Sequence, residues 1–265
     1  MNNLTQISKS IRKLVLESIN KANSSHIGSV FSCVDILTVL YFGVMNINRK
    51  NTKMKTRDRF ILSKGHAGVG IYAILQKKYF FKKDLLKTYG QNGSLLSGHV
   101  SNKNINGVEF STGSLGHGLP VACGYAVAMK FDKNTKSRVF CLLSDGELNE
   151  GSNWEAILFA NHHKLNNLVA IIDRNKLQSI KSTEKTLRLE PLKKKISAFG
   201  WTVKVCDGHD HIKMRSILRK KYSNPLFLIA NTVKGKGVSF MEGNNLWHYK
   251  TPKNHDYEKA LSELN

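Results

Sequence analysis

The segment that decides the fold is VFCLLSDGELNEGSNWEAILFANHHKLNNLVAIIDRN, residues 139–175. Its apolar runs at 139–143 and 168–172 have the length of buried strands, and 153–163 between them has the pattern of a helix. A strand, a helix and a second strand in this order form the unit from which parallel sheets are built. We therefore expect an α/β fold in which helices cover both faces of a parallel sheet.

The rest of the chain continues this alternation. Further elements are predicted as helices at 4–23, 33–42, 67–78 and 115–131, and as strands at 202–206 and 226–230. No internal repeat, low-complexity segment or Pro/Gly-rich linker interrupts the chain, and its four prolines mark no boundary. We therefore predict a single domain over residues 1–265.

The charge of the chain is strongly basic, with 41 Lys and Arg against 19 Asp and Glu and a formal net charge of +22. Such an excess fits nucleic acid, an anionic surface or phosphorylated substrates. The lysines are spread over several segments, without a single basic helix and without interleaved aromatic residues that stack on bases. We interpret the charge as that of a solvated surface and as a clue to anionic ligands, and the pattern argues against a nucleic-acid interface.

The N-terminal segment has an amphipathic pattern rather than that of a signal peptide. No apolar run is expected to be long enough to cross a bilayer, so the sequence predicts a cytoplasmic protein without a membrane partner. Four cysteines lie in apolar contexts, outside CxxC pairs and metal-ligand spacings. We expect buried free thiols at Cys33, Cys123, Cys141 and Cys206.

Polar residues follow two of the predicted strands. Asp145 and Gly146 come after the strand at 139–143, and Asn175 comes after the strand at 168–172. Because ligands bind where the carboxyl ends of parallel strands meet, we expect these residues at one site. Oxygens of Asp145, of Asn175 and of a backbone carbonyl just beyond it suit Mg²⁺ or Ca²⁺, with diphosphate oxygens completing the shell. Spacing alone leaves an ordinary turn and an ordinary cap as alternatives.

Several stretches together resemble one family. SDGELNEGSNWEA followed by IIDRN resembles the thiamine-diphosphate signature of transketolases. ANSSHIGS, RDRFILSKGHAGVGIYAIL, VEFSTGSLGHGLPVACGYA and VKGKGVSFMEGNNLWHYK are similar to other transketolase segments, in the same order and over nearly the whole chain. The pattern resembles above all the N-terminal subunit of split transketolases, in which two chains share what is otherwise one polypeptide.

The resemblance implies a thiamine-diphosphate-binding fold and a set of cofactor contacts. By similarity, Asp145, Asn175 and the carbonyl of Leu177 would hold Mg²⁺, with Ca²⁺ as an alternative ion. His66 and Gly146 would contact the diphosphate of thiamine diphosphate. The glycine would also let the backbone approach that diphosphate closely.

The resemblance implies a substrate channel as well. The backbone of Gly113, Ser114 and Leu115 would lie near the aminopyrimidine ring. The catalytic histidines would line the channel and hydrogen-bond sugar hydroxyls or relay protons; they are His26, His66, His99 and His248. His117 stands where the family often has glutamine, so it receives no role. Residues expected only on the surface or in packing are His162, His163, His209, His211 and His255, and Trp154 and Phe159 are expected to contact the core.

Two positions depart from the family pattern. Ser144 replaces the first glycine of the usual GDG, which the loop tolerates if Ser144 has ordinary backbone angles. Ile27 follows His26 where proline is common, a change that bears on the channel wall.

The resemblance also implies a partner. In transketolases a glutamate from a pyrimidine-binding domain activates the cofactor, and a later domain grips the sugar phosphate. We therefore expect a C-terminal partner chain, a heterotetramer with two copies of each chain, and transfer of a two-carbon ketol unit from a ketose phosphate to an aldose. Alternatives are a specialised sugar-pathway ketotransferase, a relative of 1-deoxyxylulose-5-phosphate synthase or of a 2-oxo-acid dehydrogenase subunit, and a degenerate regulatory or nucleic-acid-binding paralogue.

Overall fold

A computed structural model describes residues 2–50, 52–134 and 136–265. The strands are β1 (Arg59–Leu62), β2 (Val139–Ser144), β3 (Leu168–Arg174), β4 (Thr202–Asp207) and β5 (Leu226–Asn231). The first five helices are α1 (Asn2–Ala22), α2 (Ile27–Val39), α3 (Gly68–Lys77), α4 (Lys83–Leu86) and α5 (Gly118–Phe131). They are followed by α6 (Gly151–His162), α7 (Thr183–Thr186), α8 (Leu192–Ala198), α9 (His211–Arg219) and α10 (Asn254–Glu263).

The five strands form one sheet in the order β1-β2-β3-β5-β4, and every neighbouring pair is parallel. The expected parallel α/β architecture is therefore confirmed. Ser144 pairs with Asp173, so β2 and β3 end side by side. Residues that follow β1, β2, β3 and β5 consequently emerge at the same edge of the sheet.

Side chains alternate between the two faces of the sheet, and each face has its own apolar core. On β2, Phe140 and Leu142 pack in one cluster with α1, α2, α3, α9 and α10. Cys141 and Leu143 point the other way and pack with α5, α6 and α8. All seven residues of β3 are buried, as expected of a central strand covered on both faces. The four cysteines are free and buried, as the sequence predicted.

Helix α2 corrects one expectation from the sequence. Together with the π-helical turn Leu40–Val44 it forms an apolar stretch, Ile27–Val44, that is long enough to cross a membrane, with a mean hydropathy of 1.9. Of this stretch, 89% is buried inside the protein, so it is the central helix of one core layer. The helix begins at Ile27, directly after His26 in a left-handed conformation with φ 74°. Proline suits the first helical position, and Ile27 fills it here with a fully buried side chain.

Other differences from the sequence-based elements have local causes. The helix predicted from residue 115 begins only at Gly118, because Gly116 adopts φ +87°, a left-handed conformation that a helix cannot include. Helix α2 begins six residues before the predicted helix at 33–42. Strand β1 and helices α4, α7, α8, α9 and α10 were not predicted. The expectation for Phe159 was wrong, since its side chain is 42% exposed and stacks on His163, whereas Trp154 packs against the core.

Candidate active site

A cavity of about 310 Å³ opens at the carboxyl edge of the sheet. Its walls include the segments after β1, β2 and β3 and the residue before α2. The lining residues are His26, Ser29, Lys64, His66, His99, Gly113, Leu115, Ser144, Asp145, Gly146, Asn175, Leu177, Gln178, Ser179, His248 and Tyr249. The fold thus brings together residues that are up to 223 positions apart in sequence, counted from His26 to Tyr249 (249 − 26).

Asp145 is the only carboxylate among the described residues that line this cavity. Its side chain is almost fully buried and accepts hydrogen bonds at Oδ2 from the backbone N–H of Lys176 at 2.6 Å and from Nη1 of Arg174 at 3.1 Å. At Oδ1 it accepts the N–H of Gly146 at 2.8 Å. Burial and the nearby Asp173 raise the pKa of Asp145 to about 6, against the opposing effect of Arg174.

Asn175 lines the same cavity as Asp145 and is held in place by both ends of its amide. Its Oδ1 atom accepts the N–H of Leu177 at 3.0 Å, and its Nδ2 atom donates to Oγ of Ser32 at 3.1 Å. Ser144 is the last residue of β2 in extended backbone, so the condition for replacing glycine is met. A Cβ atom on Gly146 would lie 2.8 Å from the Gln178 side chain, so the glycine keeps this wall of the cavity close-packed.

A network of buried polar groups lies beneath these residues. Nζ of Lys64 pairs with Oδ2 of Asp173 and also donates to the carbonyl of Ser29 at 2.9 Å. Asp173 further accepts hydrogen bonds from the hydroxyls of Ser32 and Thr232. Both carboxylate oxygens of Asp173 therefore have partners, which is what allows a lysine and an aspartate to be fully buried at the floor of the cavity.

Four histidines line the cavity. The ring centroid of His26 lies 4.9 Å from that of His248, 5.3 Å from that of His66 and 6.0 Å from that of His99. Burial lowers the pKa of His26 to about 4 and that of His248 to about 3, helped by nearby cationic groups. Burial and Lys64 also lower the pKa of His66. These three imidazoles are therefore neutral near pH 7 and each offers one donor and one acceptor.

Lys234 fixes which nitrogen of His248 carries the proton. Its Nζ atom lies 3.1 Å from Nδ1 of His248 and also donates to the carbonyl of Gln178 at 2.8 Å. An ammonium group can only donate, so Nδ1 accepts and the neutral ring carries its hydrogen on Nε2. His248 thereby offers a donor to the cavity. Burial and the charge of Lys64 lower the pKa of Lys234 to about 8.

Some residues singled out from the sequence do not line the cavity. Gly113 and Leu115 do, but Ser114 between them is exposed. His117 is exposed, and its Nδ1 atom lies 3.0 Å from the carbonyl of Leu115. Three of the remaining histidines are exposed: His162, His163 and His255. The other two, His209 and His211, contact the carboxylate of buried Asp35 on α2.

Sequence reasoning missed five lining residues and the lysine behind them. The lining residues are Ser29, Lys64, Gln178, Ser179 and Tyr249, and the lysine is Lys234. Lys64 precedes the Gly65-His66 pair and Tyr249 follows His248, so proximity to a recognised histidine was the available signal. The lysines were treated as surface residues because lysine is seldom fully buried.

The oxygen donors fit a hard divalent cation and a diphosphate. Among the described residues, Oδ1 of Asp145 accepts a hydrogen bond only from Gly146, so it keeps lone pairs for a metal ion. The amide oxygen of Asn175 and the carbonyl of Leu177 are neutral oxygen ligands of the kind that Mg²⁺ accepts alongside phosphate oxygens. Lys234 adds positive charge next to the same space, which suits an anionic ligand, while the charge of Lys64 is balanced by its ion pair with Asp173.

Comparison with known proteins places this site in a family. A family model described as transketolase, thiamine diphosphate binding domain, matches residues 4–264. The chain belongs to the transketolase family. A relative from Phocaeicola vulgatus, named as one subunit of an apulose-4-phosphate transketolase, is 43% identical over 259 residues, which cover 96% of this chain and 90% of that protein. A 6-deoxy-6-sulfo-D-fructose transketolase subunit from a Clostridium species is 38% identical over 257 residues, covering 96% and 93%.

The structures of other transketolases agree with this assignment. The crystal structure of transketolase from Campylobacter jejuni matches with a TM-score of 0.93 and 31% identity. That match covers 100% of this chain but only 43% of the Campylobacter jejuni chain. The resemblance to transketolases and the expected fold are both confirmed. The relatives differ in length. The match covers most of the length of the two proteins named as subunits, but less than half the length of the Campylobacter jejuni transketolase.

Proposed function

We propose that this transketolase-family chain is the diphosphate-binding subunit of a two-chain, thiamine-diphosphate-dependent transketolase. The observation that carries the proposal is a single cavity that joins Asp145, Asn175 and Leu177 to His26, His66, His99 and His248. A metal–diphosphate anchor and a set of neutral histidines thus share one space. The names and lengths of the two subunit relatives support the two-chain arrangement.

The anchor would hold thiamine diphosphate through a divalent ion. Asp145, Asn175 and the carbonyl of Leu177 would bind Mg²⁺, while Gly146 and His66 would contact the diphosphate. Lys64 at the floor of the cavity is already paired with Asp173. Lys234, whose described partners are all neutral, would balance part of the diphosphate charge. When bound, the cofactor supplies a carbanion-stabilising group, and the protein contributes binding, orientation and electrostatics.

The histidines would act on the sugar. His248 presents an Nε2–H donor because Lys234 occupies its other nitrogen, and such a donor can bind a carbonyl or hydroxyl oxygen of the substrate. Nδ1 of His26 lies 2.9 Å from Oγ of Ser25, a contact that fixes the orientation of that ring. Neutral imidazoles in hydrogen-bond reach of hydroxyl groups are suited to relay protons between them.

A second chain completes the proposed site. This partner would supply a pyrimidine-binding domain with the activating glutamate and the basic residues that grip a sugar phosphate. We expect two copies of each chain in a cytoplasmic complex. Its reaction would move a two-carbon ketol unit from a ketose phosphate or a related sugar to an aldose, and the sugars in the names of the two relatives favour a specialised pathway.

A titration tests this proposal. Thiamine diphosphate is added at saturating Mg²⁺ to the purified chain, alone and mixed with the protein encoded next to it, and binding is followed by calorimetry. The proposal expects saturable, Mg²⁺-dependent binding that strengthens in the mixture, followed by ketol transfer. Absence of binding under both conditions would favour a degenerate paralogue, and tight salt-sensitive binding of DNA would favour a nucleic-acid role.

A further inference from the structure

Glu147 directly follows Asp145 and Gly146 of the proposed metal and diphosphate site, and its side chain is completely buried. It is the second residue of the short 3₁₀ turn Gly146–Asn149 that follows Asp145. Its carboxylate does not line the cavity. The backbone carbonyl of the same residue accepts Nδ2 of Asn153 from α6 at 2.6 Å, so the turn itself is fixed from outside.

The carboxylate of Glu147 accepts hydrogen bonds from three separate segments. Its Oε1 atom accepts the N–H of Gly116 at 3.0 Å and the hydroxyl of Ser63, while Oε2 accepts the N–H of Ser144 at 3.1 Å. The Ser63 hydroxyl also accepts the N–H of Gly118 at 3.1 Å, which directs its own hydrogen toward Glu147. Burial raises the pKa of Glu147, and the three donors oppose that rise. All three contacts donate to Glu147, so both of its carboxylate oxygens act as acceptors.

Two of these segments line the cavity and form two of its walls. Gly116 ends the stretch whose Gly113 and Leu115 line one wall, and Ser144 begins the Ser144–Gly146 stretch that lines the other. Ser63 directly follows β1 and joins the same carboxylate to the start of α5 at Gly118. One buried side chain therefore sets the distance between the two walls.

We propose that Glu147 is a positioning residue that holds these two walls of the cavity at the separation that cofactor binding requires. This inference rests on the proposed function, because it assumes that the diphosphate and the aminopyrimidine of the cofactor lie between these walls. Glu147 itself is not among the residues that line the cavity. It acts through Gly116 and Ser144, whose backbone positions it determines.

Glu147→Gln is the substitution that isolates this role. The amide has nearly the same shape, but its NH₂ group must face either the Ser144 N–H or the Gly116 N–H and Ser63 hydroxyl. Two donors then point at each other, and one wall loses its hydrogen bond to the side chain of residue 147. The fold keeps its remaining contacts, so the substitution mainly alters the separation of the two walls.

Asp58 provides a matched control at the opposite edge of the sheet. It is also a buried carboxylate that ties backbone together, accepting the N–H of Asn46 at 2.8 Å and that of Arg138 at 2.7 Å. It directly precedes β1, so it lies at the end of the strand away from the cavity. Asp58→Asn removes a backbone acceptor in the same chemical way without touching either wall.

The experiment compares the dissociation constant of thiamine diphosphate at saturating Mg²⁺, measured by calorimetry in the complex with the partner chain. We expect both variants to lower the melting temperature by similar amounts. Glu147→Gln should weaken cofactor binding about tenfold, equivalent to ~1.4 kcal/mol, whereas Asp58→Asn should change it less than about twofold. Equal cofactor binding by Glu147→Gln and wild type, or equal weakening by both variants, would overturn the inference.

A substitute variant and a wild-type control cover the cases in which the first comparison cannot be made. If Glu147→Gln fails to fold, Ser63→Ala takes its place, and a dissociation constant about threefold higher is expected because one of the three donors is lost. Unchanged binding by Ser63→Ala would then contradict the inference. If the wild-type complex itself binds no thiamine diphosphate, the proposed function fails, which separates that result from a failure at Glu147.

Discussion

Arg174 donates a hydrogen bond from Nη1 to Oδ2 of Asp145 at 3.1 Å, and both side chains are almost fully buried. The same guanidinium reaches Oγ1 of Thr183 at 2.7 Å and the carboxylates of Glu184 and Glu190 at 3.0 and 2.9 Å. A proposed metal ligand is therefore tied, through one arginine, to the segment that contains α7. The arginine also opposes the rise in the pKa of Asp145 that burial causes.

Replacing Arg174 by methionine should destabilise the chain strongly. Asp145 would lose its cationic partner, and its pKa would rise further above its ordinary value. Breaking a buried ion pair from one side costs roughly 3–5 kcal/mol. Urea unfolding measures the loss, and Arg188→Met is the control, because Arg188 is 78% exposed and lies on the same segment. Equal stability of the two variants would contradict the role given to Arg174.

Replacing Asp145 by alanine should abolish ketol transfer by the complex. The variant lacks the single carboxylate of the proposed metal site, so Mg²⁺-dependent binding of thiamine diphosphate should be lost as well. Steady-state turnover and calorimetry measure the two effects. Asp84→Ala, at a carboxylate whose side chain is 84% exposed, should leave both unchanged. Near-normal turnover of the Asp145 variant would show that the metal assignment is wrong.

Replacing Lys234 by methionine should raise the pKa of His248. Lys234 is one of the causes of the low pKa of His248, and its ammonium also determines the tautomer of that ring. NMR titration of the His248 ring follows the change. Lys236→Met is the control, since Lys236 is half-exposed and pairs with Glu242 instead. An unchanged His248 titration in the Lys234 variant would contradict the contact.

The buried histidines predict a pH dependence of stability. The pKa of His26 is about 4 in the folded protein, below the value of about 6.5 expected in the unfolded chain. The unfolded state binds the extra proton between these values, so His26 favours unfolding increasingly as the pH falls from about 6.5 to 4. His26→Asn tolerates the left-handed backbone at this position and removes the group that titrates.

Urea unfolding at pH 7.5 and pH 5.0 checks that dependence. Wild type should lose stability relative to His26→Asn between the two conditions. His255→Asn, at an exposed histidine on α10, should keep the same offset from wild type at both. A constant difference between wild type and His26→Asn would show that His26 is not held neutral.

Much of the fold was predictable because the buried strands are long and apolar. Strands β2, β3 and β5 were predicted within two residues of their ends, since these runs are almost entirely apolar. Strand β1 has only four residues, too few for a clear pattern. The start of α2 was missed because its stability comes from complete burial rather than from residues with high helix propensity.

The candidate site was predictable where a residue follows a strand or resembles a family motif. Asp145, Asn175 and the four histidines all line one cavity. Lys64, Lys234 and Glu147 were not predicted, because their importance comes from burial and from partners that are distant in sequence. Only the folded chain brings Glu147 together with Ser63 and Gly116, which precede it by 84 and 31 residues.

The central claim is that this chain supplies one half of a shared active site. Its most direct test is a two-carbon transfer assay with thiamine diphosphate and Mg²⁺, run on the purified chain, on its partner chain, and on their equimolar mixture. The account predicts transfer only in the mixture, because it assigns the activating glutamate to the partner chain. Full ketol transfer by this chain alone would contradict it.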